Sequence, residues 1–327
     1  MQRIKNILYV AAPGSVSDTA LEQAVALANN NQASLTVVGV IDKIPTNLNL
    51  KTRALSPEDY LAYIIEEHLN ELQALVSPWK SNAVEIQTKV FTGILFLSVI
   101  RKVLRDGHDL VIKTAESGGL LNRVFESDDM HLLREYPCPV WLVKSDSPIA
   151  YRRIMAAVDT DDIYAPEELK TRHLLNLQIL EMASSLALSD SSELHIVYAW
   201  PDLSEASMRG FARTPEDEII AYVEEIRQHH EQKFNALMDE VINKLGQDTM
   251  EYIKPRTHLL KGLACNEIPA FASKIKIDLI VMGTLSHTGI SGFFIGNTAE
   301  TILNQLDCSL LAIKPPGFIS PITLEDK

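Results

Sequence analysis

Two stretches near the end of the chain carry residue types able to hold a phosphate. Asp278-Leu279-Ile280-Val281-Met282-Gly283-Thr284 reads as a buried strand ending in Gly-Thr. Gly296-Asn297-Thr298-Ala299-Glu300 reads as a helix start, and a glycine-spaced loop joins the two. Free N–H groups in the first turn of a helix attract anions, and glycine allows close backbone approach to a ligand. Gly283, Thr284, Gly296, Asn297 and Thr298 are therefore candidate ligand residues. The same letters support a ligand-free account, because Asn297 is a favoured N-cap and Glu300, three residues on, completes a capping box. His287 in the loop is a cation only when protonated, and a solvated loop residue is the plainer reading.

Little else points to chemistry. The 9 histidines form no metal-binding spacing, and neither a nucleophile elbow nor a Gly-x-x-x-x-Gly-Lys-Ser/Thr loop occurs. His229 and His230 are adjacent on a predicted helix, where neighbours point in different directions. The expectation is a protein without catalytic or metal-ligating residues.

The elements that must position these residues are written twice. Ile7-Leu8-Tyr9-Val10 returns as Ile154-Met155-Ala156-Ala157, Leu35 to Val40 as Leu194 to Ala199, and Ser56-Pro57-Glu58-Asp59 as Thr214-Pro215-Glu216-Asp217. Gly93 returns as Gly262, Asp109-Leu110-Val111-Ile112 as Asp278 to Val281, and Cys138 as Cys308. The offset grows from 147 to 170, so the second copy holds insertions. Each copy alternates short apolar runs with helical patterns, such as Ile219, Val223, Ile226, Phe234, Leu237, Val241 and Leu245. Ser56-Pro57 and Thr214-Pro215 each read as a cap residue with proline in the first turn. Uninterrupted apolar strands between helices predict parallel strands covered on both faces, with ligands at their carboxyl ends. The junction falls at 145–151, the domains at 1–146 and 152–316, and the proline-bearing tail from Pro315 is expected to be loose or only locally packed.

The repeated plan and the Gly283/Gly296 spacing resemble the universal stress protein family. The family's ATP-binding pattern is Gly, two residues, Gly, nine residues, Gly, then Ser or Thr. Gly283 and Gly296 match it, whereas Ser286 stands at the second glycine and Asn297 replaces the hydroxyl residue. The resemblance implies two tandem doubly wound parallel five-stranded sheets of the adenine nucleotide alpha-hydrolase-like fold. It implies too that the last strands, 140–143 and 310–313, lie near a pseudo-twofold axis. It places Asp159 near adenine and ribose and the Ala199 backbone against adenine, although Asp159 in the run to Asp162 is equally good turn chemistry. In the first copy Ala12, Thr114 and Glu126-Ser127 stand at the matching positions, so ATP is expected in the C-terminal domain or not at all.

Composition fits two domains within 327 residues, a length beyond what one core usually supports. No run is long enough to span a bilayer, and Arg152 to Val158 repeats in mid-chain the N-terminal pattern of Arg3 and Lys5 followed by Ile7-Leu8-Tyr9-Val10-Ala11-Ala12, which argues against a signal peptide there. The 3 cysteines give no disulfide framework, Cys138 and Cys308 read as small buried residues, and a cytoplasmic location is expected. A formal charge of −13 disfavours nucleic acid. Three functions remain open: a non-enzymatic stress-response protein that binds a protein partner or small ligand, with or without nucleotide tuning; an ATP-binding or weakly ATP-hydrolysing protein; and a carrier of an apolar or lipid-like ligand, suggested by Phe293-Phe294. The chain is expected to be a monomer with an internal pseudo-dimer or a homodimer, with no membrane partner.

Overall fold

The computed structural model describes residues 4–12, 19–43, 56–80, 84–115, 127–201, 203–211, 214–284 and 295–324. They form two compact units, Ala150–Phe318 and Gln2–Ile149, the latter joined by the segment from Ile319.

In the first unit, β1 (Asn6–Val10), α1 (Thr19–Asn31), β2 (Ser34–Ile41), α2 (Pro57–Val76), β3 (Ile86–Thr92), α3 (Leu95–Asp106), β4 (Leu110–Thr114), α4 (Ser127–Glu135) and β5 (Val140–Val143) follow in order. The strands lie β3-β2-β1-β4-β5, each pair parallel. Ile7, Leu8 and Tyr9 of the central strand are completely buried, as a strand covered by helices on both faces must be.

The second unit repeats the plan with β6 (Arg153–Val158), α5 (Pro166–Asp190), β7 (Glu193–Trp200), α6 (Leu203–Phe211), α7 (Glu216–Leu245), α8 (Gln247–Ile253), β8 (Arg256–Lys261), α9 (Ala264–Ile275), β9 (Leu279–Gly283), α10 (Asn297–Leu303) and β10 (Ser309–Ile313). Its order, β8-β7-β6-β9-β10, is again parallel throughout and matches the first unit strand for strand. The chain thus carries a duplicated α/β fold of parallel strands flanked by helices. Cys138 and Cys308 are both buried, as the small apolar role predicts.

The repeated letters have repeated jobs. Asp109 Oδ2 accepts the backbone N–H groups of Lys5 and Asn6 at 2.8 and 3.0 Å, and Asp278 Oδ2 accepts those of Arg152 and Arg153 at 2.8 and 2.9 Å. Each aspartate therefore ties the start of its unit's first strand. Gly93 and Gly262 take φ of 133° and 140°, a conformation costly for residues with a Cβ, where the chain turns into α3 and α9.

Two capping expectations diverge. Ser56 caps α2, its Oγ accepting the Asp59 N–H at 3.1 Å. In α7, Pro215 itself is the cap residue, Thr214 stays outside the helix, and no side chain among the described residues closes the end. A proline at the cap supplies extended φ/ψ but no acceptor side chain, so the equivalent letters yield different ends. In the tail, Ile319 is exposed but Ser320 is buried, so it is not uniformly loose.

The growing offset has a location. It rises from 147 at Ile7/Ile154 to 159 at Leu35/Leu194, which places an insertion between the first two strands of the second copy. There α5 runs 25 residues against 13 for α1. The further rise accompanies α7, 30 residues against 20 for α2.

Candidate functional site

In the second unit β6 is followed in the chain by β7 on one side and is flanked by β9 on the other, so the loops above its carboxyl end diverge. That divergence leaves a crevice, the usual ligand position in such sheets. A cavity of about 480 Å³ occupies it. Asp159, Ala199, Gly283, Gly296, Asn297 and Thr298 all line this cavity. Thr284 does not: it is buried, its N–H reaches the Ile313 carbonyl at 3.2 Å, and its hydroxyl has no partner among the described residues. Ser286, His287, Phe293 and Phe294, and Gly118, Gly119 and Glu126 of the first copy, lie outside the described residues.

Asp159 is already engaged. Its carboxylate accepts from Arg172 Nη1 at 2.7 Å, the Tyr164 hydroxyl at 3.2 Å and the Asp161 N–H at 3.0 Å. Asn176 brackets its backbone, donating from Nδ2 to the Asp159 carbonyl at 2.6 Å and accepting the Asp159 N–H at 3.1 Å. Arg172 also pairs with Glu168 at 2.7 Å and lies 3.6 Å over the Tyr164 ring. Burial, then Asp159, raises the Tyr164 phenol pKa above its ordinary value, so Tyr164 remains a donor. Burial, followed by the Asp159 charge, also raises the Asp161 carboxyl.

Sequence reading missed Arg172, Tyr164 and Asn176. The available signal was the four-residue spacing of Glu168, Arg172 and Asn176, which puts three polar groups on one face of α5 beside the apolar Leu175 and Ile179.

Gly283 has a packing reason. A Cβ there would come within 2.6 Å of Leu175 Cδ2 and 3.1 Å of its Cγ, so absence of a side chain makes room for Leu175. The capping-box expectation at α10 is overturned. Gly296 is the cap residue, Asn297 is already helical, and the Glu300 N–H bonds the Gly296 carbonyl at 2.9 Å. With a glycine at the cap there is no acceptor side chain, and Glu300 lies one position too far for a capping box.

On the opposite flank, α7 holds the loop after β6. Asp162 pairs with Lys233 at 3.0 Å and His229 at 3.2 Å, which together lower its carboxyl pKa. His230 turns elsewhere: its Nδ1 meets the Tyr198 hydroxyl at 2.7 Å and its ring stacks on Trp200 at 5.5 Å. Among the described residues no group of three His, Cys, Asp or Glu side chains could hold a metal, and no helix is long and apolar enough to cross a membrane.

The first unit is built differently at the same place. Lys113 and Asp129 occupy the positions of Met282 and Ala299 and form a buried ion pair at 2.9 Å. The second unit has apolar cavity wall there.

A family model described as the Universal stress protein family matches residues 3–144 and again 150–314. Universal stress protein E of Escherichia coli strain K12 is 30% identical over all of this chain and 99% of its own length. The Universal stress protein E homolog of Haemophilus influenzae is 28% identical over 96% of this chain and 98% of its own. Among solved structures, a putative universal stress protein from Pseudomonas aeruginosa UCBPP-PA14 superposes with a TM-score of 0.69 at 24% identity, covering 96% of this chain and 94% of that one. A universal stress protein from Archaeoglobus fulgidus gives 0.62 at 16% identity, covering 96% and 99%. These two resemblances concern the fold.

Proposed function

Because the chain belongs to the universal stress protein family, we propose that it is a non-enzymatic stress-response protein that works by binding, with a small ligand held in the second unit's cavity and a protein partner as the receiver of that state. The observation that carries the reading is the cavity itself. Its volume lies in the range of small-molecule sites, and its walls are largely apolar with a few convergent polar groups. The first unit, whose matching position holds its own buried charges, then serves structure or partner contact.

A second reading keeps adenine nucleotide as the ligand, with Asp159, Ala199, Gly283, Gly296, Asn297 and Thr298 as contacts. Convergence of those six on one cavity favours it. Against it stands the engagement of Asp159 by Arg172 and Tyr164, which a ribose hydroxyl would have to displace or join. Thr284, buried behind the cavity, has a structural part in either reading.

Native mass spectrometry of gently purified full-length protein tests both. Retention of about one small molecule per chain, lost when Ala299→Phe fills the cavity, is the expected result. Retained ATP selects the second reading. If no molecule is retained and ATP at millimolar concentration leaves the thermal midpoint unchanged, ligand binding falls and partner binding alone remains.

A further inference from the structure

We propose that the second unit's cavity takes an organic cation, an amine on an aliphatic or aromatic body, with Asp161 as its counter-ion. The inference rests on the small-ligand reading above and adds the sign of the ligand's charge.

Three charged side chains line the cavity among the described residues: Asp159, Asp161 and Arg172. Arg172 is committed, lying 2.7 Å from Asp159 and 2.7 Å from Glu168, itself a buried carboxylate. A guanidinium shared by two carboxylates has little net charge to offer an incoming anion. The Asn176 amide group is likewise occupied by the Asp159 backbone.

Asp161 is the exception. It is half-buried, it has no basic side-chain partner among the described residues, and the N–H of Asp162 at 3.0 Å is its one hydrogen-bond donor there. Burial and the neighbouring Asp159 both disfavour its ionised form, the signature of a carboxylate short of positive charge. The other groups acting on it are Asp162, already paired with Lys233, and His230 of α7, which burial keeps toward neutral. Leu175, Ile179, Met282 and Ile302 provide an apolar bed on which the body of an amine would lie.

The test uses the full-length chain and three probes sharing one six-carbon body: n-hexylamine, n-hexanol and hexanoate, each titrated while amide NMR shifts of 157–161 and 279–283 are followed. Hexylamine is expected to bind about tenfold tighter than hexanol, the yield of one charge-assisted contact at a partly exposed site, and hexanoate more weakly than either. Asp161→Asn should bring hexylamine to the level of hexanol and leave hexanol unchanged. Equal binding of hexanol and hexylamine, or a preference for hexanoate, overturns the cation assignment while the small-ligand reading stands. A hexylamine preference that survives Asp161→Asn also overturns it. If neither the three probes nor ATP shifts any cavity amide, the small-ligand reading falls as well.

Discussion

His108 stands where the second copy has the buried Ile277, and it is just as buried. Neither ring nitrogen finds a hydrogen-bond partner among the described residues. Burial, the largest influence, holds its pKa at about 4, below the ordinary 6.5. The unfolded chain therefore binds the proton first as pH falls, so stability is undiminished above about 6.5 and declines toward pH 4, by on the order of 3 kcal/mol in all. His108→Ile should remove that acid-side decline and stabilise the protein by about 1–3 kcal/mol at pH 7, since a buried unpaired polar group is replaced by an apolar one. Urea unfolding at pH 7 and pH 5 checks both; a variant with the wild-type pH slope would show that His108 is not its source. Gly283 gives the second prediction at this scale. Gly283→Ala should cost about 1–3 kcal/mol by pushing on Leu175, and Leu175→Ala in the same chain should recover part of the loss, a coupling that a double-mutant cycle measures. Additive losses would mean that the contact is not the cause. The places of Asp159 and Gly283 at the ends of the first and fourth strands of the second unit were legible in the sequence because strand ends and glycines are local signals. Arg172 was not, because its meaning depends on a partner 13 residues away that only the folded loop brings near.

At the scale of elements, β4 and α4 differ from their counterparts, β9 and α10, in carrying an ion pair between them. The Lys113–Asp129 pair is almost wholly removed from water. Removing one member of such a buried pair is strongly destabilising, whereas replacing both partners by apolar residues is often tolerated. Lys113→Met alone should therefore destabilise by about 3–5 kcal/mol, and Lys113→Met with Asp129→Ala, which writes the second copy's residues into the first, should restore most of that loss. Thermal or denaturant unfolding of the three proteins decides; a double variant as unstable as the single one would count against the ion-pair account. The inner strands such as β2 and β9 were readable as short apolar runs, whereas the edge strands β3 and β8 carry Gln87, Lys89, Arg256 and His258 and give no such run; α2 was readable as a cap followed by proline. The ends of α7 and α10 were misjudged because a proline or a glycine can take the cap position itself, and sequence periodicity does not fix a boundary to one residue.

Over the whole molecule, one sequence plan folds twice into the same strand order, and the equivalence of the two copies was legible because repeats are visible without any structure. The difference between the copies was legible only as an offset, since the letters do not say that the first half of α5 carries Arg172, Leu175 and Asn176 to the cavity wall. A ligand of the second unit should accordingly slow hydrogen exchange at 153–158 and 279–283, and leave 6–10 and 110–114 unchanged. Equal protection of both sets would place a ligand in each copy. The distribution of tryptophan makes the same asymmetry visible by optical means. Of the 3 tryptophans, Trp79 and Trp141 belong to the first unit, and Trp200 ends β7 next to Pro201 of the cavity wall. Trp79→Phe with Trp141→Phe would leave a single fluorophore one residue from the cavity and stacked on an imidazole, so the emission of the intact chain becomes a gauge of its second half alone.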